Sequence, residues 1–402
     1  MQIHHNSLYS DQPEYPAELR KVVDLNAHRT ALGVIRNWPG YEPTPLHHLN
    51  AMAESMGVDR IWYKDEGERF GLRSFKALGG AYAVYRLIAA RYATRNGGRV
   101  PAIGRLQETR PPDLLSDLTV ACATDGNHGH SVAWGAQLFG VPCVIYVHEQ
   151  VSPGRVSAIE ALGARVVRVA GNYDDSVRQV AEAAKQNGWQ VVSDTSYGGY
   201  TDVPRDVMQG YTVMAEEVIR QLPGGELPTH VFVQGGVGGL AAAVCGHLWE
   251  RLAEKRPRMV VVEPEKADCL YQSAVAGQPT VVKGTLDTVM AGLACGEVSV
   301  LAWQVLRRGV QDFVTVPDAC VAGAMRRLAD GRGSDPSIVA GESAVAGLCV
   351  LRQLRNDRQA RQQLGIDGQS RVLLLGTEGA TDPEVYRKLT ASRTKPAAWL
   401  PE

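Results

Sequence analysis

The sequence predicts an α/β protein with two open, twisted, mostly parallel sheets and flanking helices. From about residue 60 the chain alternates short β-rich runs with helical runs, which is typical of parallel sheets with right-handed crossovers. The strand candidates are continuous apolar runs, as expected of strands buried on both faces. Glycine-rich turns follow several of these strands, and they favour open doubly wound sheets over a closed barrel.

The predicted elements follow from these patterns in chain order. Eight strands are expected, at Arg60–Lys64, Thr119–Ala123, Cys143–Val147, Arg165–Val169, Gln190–Ser193, His230–Gln234, Met259–Glu263 and Arg371–Leu375. The helical patterns are Lys76–Thr94, His128–Phe139, Val156–Leu162, Tyr173–Asn187, Arg205–Gln221, Gly239–Lys255, Ala319–Asp330 and Glu342–Leu364. An insert rich in Gly, Pro and Arg at Gly97–Asp117 is interpreted as a surface excursion rather than a lid.

Composition limits the classes of function. The chain has 402 residues and a formal net charge of −1, so nothing favours a nucleic acid or an anionic membrane as partner. No apolar run is long enough to span a membrane, and the N-terminus has no basic segment followed by an apolar one, so a cytoplasmic protein is expected. The seven cysteines form no C-x-x-C pair, and the adjacent pairs His4-His5 and His47-His48 point apart, so no metal site is predicted.

Four polar or glycine-rich turns follow predicted strands. In open α/β sheets ligands bind beyond the carboxyl ends of the strands, so these turns are expected to meet at one site. The four turns are Asp125–His128, Asp194–Tyr200, Gly235–Gly239 and Gly376–Gly379.

The Gly235–Gly239 turn (GGVGG) is predicted to bind a phosphate. Glycines let the backbone approach an anion, and a helix that begins there offers free N–H groups and its positive end. The overlapping stretch Gly236–Ala241 also fits the dinucleotide fingerprint G-x-G-x-x-A, with Glu263 at the end of the next strand. A dinucleotide site and a plain packing turn are therefore the alternatives.

Lys76 is the candidate nucleophilic amine. Phe75, Ala77 and Leu78 surround it with apolar groups, and Gly79-Gly80 leave room for close approach. A desolvated lysine has a lowered pKa and can form an imine with a carbonyl group. The alternative is an ordinary surface lysine in the first turn of a helix. An amine and a phosphate loop together suggest pyridoxal phosphate (PLP), which needs both.

The motifs resemble those of a known enzyme family. Ser74–Tyr82 (SFKALGGAY), Asp125–Gly129 (DGNHG), Gly235–Gly239 and Gly376–Gly379 (GTEG), in this order, are similar to fold-type II PLP-dependent enzymes, the tryptophan synthase β-like family. Three further stretches resemble, more narrowly, the diaminopropionate ammonia-lyases; they are Asp65–Leu72 (DEGERFGL), Met208–Tyr211 (MQGY) and Met290–Glu297 (MAGLACGE). The resemblance runs from about residue 60 to residue 383.

The resemblance implies a set of cofactor contacts in a cleft between two domains. Lys76 would form a Schiff base with PLP, the Gly235–Gly239 amides (Gly235, Gly236, Val237, Gly238 and Gly239) would hold the phosphate, and Asn127 would bond the phenolic oxygen. Thr377 would face the pyridine nitrogen, unless it is only a turn hydroxyl that satisfies local backbone. Residues 1–75 and 206–402 would form a large, PLP-binding domain, and residues 76–205 a small one.

Two aspartates distinguish the narrower resemblance. The related dehydratases usually carry a small residue where Asp125 stands, and a substrate with a second ammonium group would explain an acidic one. The resemblance implies that Asp125 and Asp194 are both catalytic, and that Asp125 and Lys76 take the Cα proton from opposite enantiomers. The alternatives are an Asx-turn at Asp125 and a cap or turn at Asp194.

The resemblance implies a homodimeric lyase that converts D- and L-2,3-diaminopropionate to pyruvate and two ammonia. It also implies a cysteine pair at Cys269 and Cys295, although a disulfide is unusual in the cytosol. The other interpretations are a serine or threonine dehydratase, an NAD-dependent oxidoreductase that uses Gly236–Ala241, and a non-catalytic PLP-binding protein.

Overall fold

A computed structural model describes residues 1–98, 115, 117–124, 126–149, 151–171 and 173–391. Most of the predicted insert at Gly97–Asp117 lies outside these described residues, and so does Asp125.

The strands form two sheets. A seven-stranded sheet has the order β1-β10-β9-β8-β11-β3-β2, and a four-stranded sheet has the order β6-β5-β4-β7. The strands are β1 (Gln2–His5), β2 (Leu46–His48), β3 (Arg60–Asp65), β4 (Val120–Ala123), β5 (Cys143–His148), β6 (Arg165–Val169), β7 (Gln190–Val191), β8 (His230–Gln234), β9 (Arg258–Pro264), β10 (Asp312–Val316) and β11 (Arg371–Gly376). All pairings are parallel except those of the edge strands of the seven-stranded sheet, β1 with β10 and β2 with β3.

Fourteen α-helices lie in the described part of the chain. They are α1 (Leu25–Ile35), α2 (Asn50–Met56), α3 (Lys76–Arg95), α4 (Asn127–Phe139), α5 (Pro153–Glu160), α6 (Tyr173–Asn187), α7 (Asp202–Gln221), α8 (Gly239–Leu252), α9 (Cys269–Ala276), α10 (Val300–Gly309), α11 (Val321–Asp330), α12 (Ala346–Leu354), α13 (Arg358–Leu364) and α14 (Pro383–Ala391). In this part of the chain no helix is both long and apolar enough to cross a membrane.

The core explains why the inner strands read as continuous apolar runs. Alternate residues of β9 face opposite sides: Met259 and Val261 belong to one buried cluster, Val260 and Val262 to another. The first cluster also takes in one face of the four-stranded sheet and the inner faces of α3, α4, α7 and α8. The two sheets therefore share a layer of helices, and the predicted fold class is confirmed.

Some elements differ from the prediction. The strands β1 and β2 carry little apolar sequence, and they are held by antiparallel pairing with β10 and β3. The single helix predicted at Glu342–Leu364 is wrong, because α12 ends at Leu354 and Asp357 starts α13 by accepting a hydrogen bond from the Ala360 N–H at 2.9 Å. The four-stranded sheet lies within residues 120–191, whereas the predicted domain limits stay a prediction.

Candidate active site

Lys76 begins α3 directly after a segment that is tied to the end of β11. The Phe75 N–H donates to the Thr377 carbonyl oxygen at 3.0 Å. Gly79, which was expected to leave room for a ligand, instead lets α3 pack against α7, because a Cβ there would lie 2.4 Å from Cε1 of Tyr211. The Lys76 side chain is 19% exposed, and its amine forms an ion pair with the Asp194 carboxylate.

The ion pair sets the charge of both groups. Burial would lower the pKa of Lys76, but the Asp194 carboxylate opposes it and raises the pKa above its ordinary value. Burial would raise the pKa of Asp194, but the charge of Lys76 opposes this and holds the pKa below its ordinary value. The expectation that desolvation lowers the pKa of Lys76 is therefore wrong for the free lysine, which is an ammonium beside a carboxylate.

Asp194 lies in the turn that follows β7, and His128 lies behind it. Nε2 of His128 is 2.8 Å from the Val192 carbonyl oxygen, which can only accept a hydrogen bond, so Nε2 carries the proton. Nδ1 then presents a lone pair, 3.9 Å from the nearer Asp194 oxygen, and it is buried without a hydrogen-bond partner among the described residues.

The predicted phosphate loop joins β8 to α8. Gly236 and Gly238 have φ angles of +62° and +94°, a left-handed conformation that favours glycine. The Gly235 N–H donates to the Val262 carbonyl oxygen at 2.9 Å, as part of the sheet. A Cβ on Gly239 would meet nothing closer than 3.8 Å, where the Asp194 carbonyl oxygen lies. This is an ordinary van der Waals distance, so the start of α8, which has no side-chain cap, lies against the Asp194 turn.

Asn127 and Thr377 follow strands of different sheets, and Asn127 contacts the residue after Thr377. Asn127 is the first residue of α4, and its side-chain amide donates to the carboxylate of Glu378, the residue after Thr377. Thr377 is 3% exposed. A cavity of about 220 Å³ opens beside Asn127; its lining includes Arg73, Gly126, Asn127, His130, Arg155 and Thr381.

The residues present fit PLP. Near Lys76 two buried polar atoms have no hydrogen-bond partner among the described residues, His128 Nδ1 and the Tyr211 hydroxyl. Tyr211 packs on Phe75 with ring centroids 4.7 Å apart, and burial raises the pKa of its hydroxyl, although the charge of Lys76 opposes this. Unpartnered buried polar groups, an amine and a helix N-terminus without a side-chain cap are what a phosphorylated aldehyde requires.

The chain belongs to the family of pyridoxal-phosphate dependent enzymes, whose family model matches residues 38–377. It is 41% identical over 355 residues to the diaminopropionate ammonia-lyase of Escherichia coli (strain K12), with 87% of each chain covered. Two structures of the E. coli diaminopropionate ammonia lyase cover 97% of this chain, and this chain covers 96% of theirs. One is a complex with D-serine (TM-score 0.88, 37% identity), and the other a complex with an aminoacrylate-PLP azomethine reaction intermediate (TM-score 0.86, 38% identity).

The dinucleotide interpretation of Gly236–Ala241 is wrong. It requires Glu263 to be free to bind a ribose hydroxyl. The Glu263 carboxylate instead accepts the backbone N–H groups of Leu270 and Tyr271, at 3.2 and 2.7 Å, where α9 begins. A Cβ on Gly235 would lie 2.4 Å from Cγ of Glu263, so this glycine serves packing against the buried acid.

The two cysteines implied by the resemblance lie beside the phosphate loop. Cys269 Sγ is 3.4 Å from the Gly236 carbonyl oxygen, and a Cβ on Gly236 would be 3.7 Å from Cys295 Sγ. The structure has no disulfide between them, and burial, followed by Glu263 and Cys295, raises the pKa of Cys269.

We predict that Cys269 stays unmodified in the native reduced protein while Cys295 is alkylated. Cys269 is 0% exposed and its raised pKa keeps the thiolate scarce, whereas Cys295 is partly exposed. Peptide mass spectrometry after iodoacetamide treatment of the native protein measures this, with urea-denatured protein as the control that labels both. A non-reducing digest that yields one linked Cys269–Cys295 peptide pair would instead establish a disulfide.

The sequence motifs contain several residues near Lys76 to which no role was assigned. His128 lies in the DGNHG motif, Tyr211 in MQGY and Glu378 in GTEG. Arg155 and Glu342 were not singled out at all; their side chains pair at 3.0 Å between α5 and the segment before α12. The sequence signal that could have identified Glu378 is its position next to Thr377, because a plain turn does not require a charged residue there.

A buried group of potential metal ligands also escaped the sequence analysis. His28, Glu216 and His247 offer ligand atoms within 4.8 Å of one another on α1, α7 and α8. The Glu216 carboxylate already accepts from His247 at 3.0 Å and pairs with Arg220 at 2.9 Å. The guanidinium charge opposes a bound cation, so we read this group as a link between helices.

Glu342 should make stability depend on pH. Burial, and then the nearby Glu378 carboxylate, raise the pKa of Glu342 to about 7, although Arg155 opposes this. A carboxyl group whose pKa is raised by folding stabilises the fold below its unfolded pKa and loses that contribution as pH rises through about 7.

The free energy of unfolding should therefore fall less between pH 5 and pH 8 in Glu342→Gln than in the unchanged protein, by on the order of 2 kcal/mol. The free energy of unfolding, measured by urea titration at the two pH values, gives the result. Glu384→Gln, at an exposed position, is the matched control. An equal pH dependence in Glu342→Gln and the unchanged protein would contradict the prediction.

Proposed function

We propose that this protein catalyses the α,β-elimination of 2,3-diaminopropionate, in both D and L forms, to pyruvate and two ammonia. The observation that carries the proposal is the Lys76–Asp194 pair beside the uncapped start of α8, in a chain 41% identical to a diaminopropionate ammonia-lyase. One water is consumed, since loss of the β-amino group leaves an unsaturated amine whose hydrolysis yields pyruvate and the second ammonia.

Lys76 would hold the cofactor through its amine, and the N–H groups of Gly236, Val237 and Gly239 would hold the phosphate. Gly235 and Gly238 would shape the loop rather than bind, because the Gly235 N–H is bonded within the sheet and the Gly238 N–H donates to the Gly235 carbonyl oxygen at 3.3 Å. Asn127 would contact the phenolic oxygen and Thr377 the pyridine nitrogen. When bound, PLP supplies an electron sink that makes the Cα–H bond of an amino acid acidic.

Asp194 would control where protons reside around Lys76. A buried carboxylate next to the amine stabilises the ammonium form, so Lys76 can keep a proton that it takes from Cα. The same pair can return that proton to a departing amino group. The unprotonated Nδ1 of His128, 3.9 Å from the Asp194 carboxylate, is a further hydrogen-bond acceptor.

Asp125 is proposed from the sequence as the base for the second enantiomer. The Cα–H bonds of the D and L substrates point to opposite faces of the planar cofactor. Proton transfer needs heavy atoms within about 2.6–3.2 Å, so one base does not serve both faces.

We expect Asp125→Asn to lower turnover of D-diaminopropionate by about 10²-fold or more, and that of the L-isomer much less. Initial rates of pyruvate release from each pure isomer measure this. Asn keeps the size of the side chain and removes the base. Equal losses for both isomers would point to a shared role for Asp125, such as binding the second ammonium group.

A direct assay tests the proposed function. Pyruvate and ammonia are measured after the PLP-loaded protein is mixed with D- or L-diaminopropionate, with D- and L-serine and L-threonine alongside. We expect two ammonia per pyruvate from diaminopropionate and slower release from the hydroxy amino acids. Faster water elimination from serine or threonine would favour a dehydratase, and no turnover of any substrate would favour a non-catalytic binding protein.

We also propose a homodimer located in the cytoplasm. Seven cysteines without a disulfide among the described residues are typical of a reducing compartment. Near Asp194, Tyr197 and Val300 are exposed apolar residues, at 54% and 41%, that a second copy could cover. Sedimentation equilibrium of the full chain and of Tyr197→Ser with Val300→Ser tests the dimer; a wild-type monomer at micromolar concentration would contradict it.

A further inference from the structure

Glu378 is a buried carboxylate whose two oxygens have different partners. The side chain is 3% exposed. Oε2 accepts from the Asn127 amide, and Oε1 accepts from the Ser343 N–H at 3.0 Å. Asn127 follows a strand of the four-stranded sheet, whereas Glu378 and Ser343 belong to the chain around the seven-stranded sheet. The Asn127–Glu378 bond therefore joins the two halves of the site.

The backbone around Glu378 is held in place relative to Lys76. The Gly341 N–H donates to the Glu378 carbonyl oxygen at 2.9 Å, and Glu378 forms a β-bridge with Ser74, two residues before Lys76. A Cβ on Gly341 would lie 2.5 Å from the Gly379 carbonyl oxygen and 2.8 Å from Cγ of Glu378. This packing leaves the carboxylate little freedom to move.

A carboxylate can only accept hydrogen bonds, so it selects one orientation of the Asn127 amide. The end that faces Glu378 must be the NH₂ group, because two facing oxygens would repel. That nitrogen has a second N–H, which remains for another acceptor. Without such a partner, the two flipped orientations of an Asn amide differ little in energy.

A second contact supports the same turn. Arg155 pairs with Glu342 at 3.0 Å, and its side chain lies over Gly126, where a Cβ would be 3.1 Å from Cδ of Arg155. Glu342 precedes Ser343, whose N–H binds Glu378. Two acids beside the seven-stranded sheet thus support one turn. Glu342 acts through Arg155, which lies over Gly126, and Glu378 binds Asn127 directly.

We propose that Glu378 is a positioning residue, which fixes the Asn127 amide with its second N–H directed to the phenolic oxygen of the cofactor. The inference rests on the proposed function, since it needs PLP at Lys76. It predicts that Glu378 acts on the cofactor only through Asn127, and not as an independent binding group.

The test is a double-mutant cycle on the dissociation constant of PLP, measured by visible absorbance and by fluorescence quenching. Asn127→Ala and Glu378→Met are made singly and together. We expect each single variant to weaken PLP binding about tenfold, near the value of one charge-assisted hydrogen bond. We expect the double variant to be no weaker than Asn127→Ala alone, because the two residues act as one unit.

Glu384→Gln, which removes the charge of an exposed acid, is the control, and its PLP binding should stay within about threefold of the wild type. Glu378→Asp is a second loss variant in case Glu378→Met does not fold: it keeps the charge but is one methylene shorter, and we expect weaker PLP binding. The thermal unfolding of each PLP-free variant checks the fold.

Two results would overturn the proposal. One is unchanged PLP affinity in both Glu378→Met and Glu378→Asp, and the other is additive losses of about a hundredfold in the double variant. Failure of the proposed function is seen separately: the assay of pyruvate release from diaminopropionate measures it, and borohydride reduction of wild-type protein shows whether PLP attaches to Lys76.

Discussion

Replacing Lys76 with alanine is expected to abolish covalent attachment of PLP and to lower kcat by about 10⁴-fold, the upper end of the range for a general base. The variant loses the amine that holds the cofactor and one acceptor for the Cα proton. It also leaves the Asp194 carboxylate buried without its ion-pair partner. Borohydride reduction followed by peptide mass spectrometry measures the attachment, and pyruvate release measures kcat.

Lys283→Ala is the control for this experiment, because Lys283 is exposed and lies far from Lys76 in sequence. In wild-type protein and in this control the phosphopyridoxyl mass should lie on the peptide that contains Lys76. The buried Lys64 is the competing candidate, since burial lowers its pKa as expected of a reactive amine. Its Nζ donates to Glu217 at 2.7 Å and it is 0% exposed, so we expect no label there. Label on Lys64 would refute the assignment.

Asp194→Asn is expected to change attachment and turnover in opposite directions. Without the carboxylate, the main effect that opposes burial is lost and the pKa of Lys76 falls, so a larger fraction of the amine is unprotonated at neutral pH. PLP should therefore react faster with Lys76 in the cofactor-free variant. Turnover should fall by about 10²- to 10⁴-fold, because the group that stabilises protonated Lys76 is lost.

The rate of PLP attachment as a function of pH tests the first half of this prediction, and its midpoint should lie lower in Asp194→Asn than in the wild type. Asp202→Asn is the matched control, because Asp202 is an exposed aspartate close to Asp194 in sequence. Slower attachment together with slower turnover would mean that Asp194 binds the cofactor or the substrate directly, rather than setting the charge of Lys76.

Most inner strands and the glycine loop could be predicted from the sequence because both are local patterns. The inner strand β10 was not predicted, because the polar residues Asp312 and Thr315 interrupt its apolar run. A strand buried on two faces must be apolar throughout, and β8 and β11 have this pattern. A turn with left-handed residues needs glycine, as at Gly236 and Gly238. The edge strands β1 and β2 lack such a pattern, since pairing with their neighbours holds them in the sheet.

The chemistry of the site was decided only by the tertiary structure. Lys76 and Asp194 are 118 positions apart, and Asn127 and Glu378 are 251 positions apart. No sequence pattern spans such separations, and the pairs meet because the strand ends of two sheets converge around a shared layer of helices. Burial by itself predicts a lowered pKa for Lys76, and its raised pKa arises because the fold places a carboxylate against the amine.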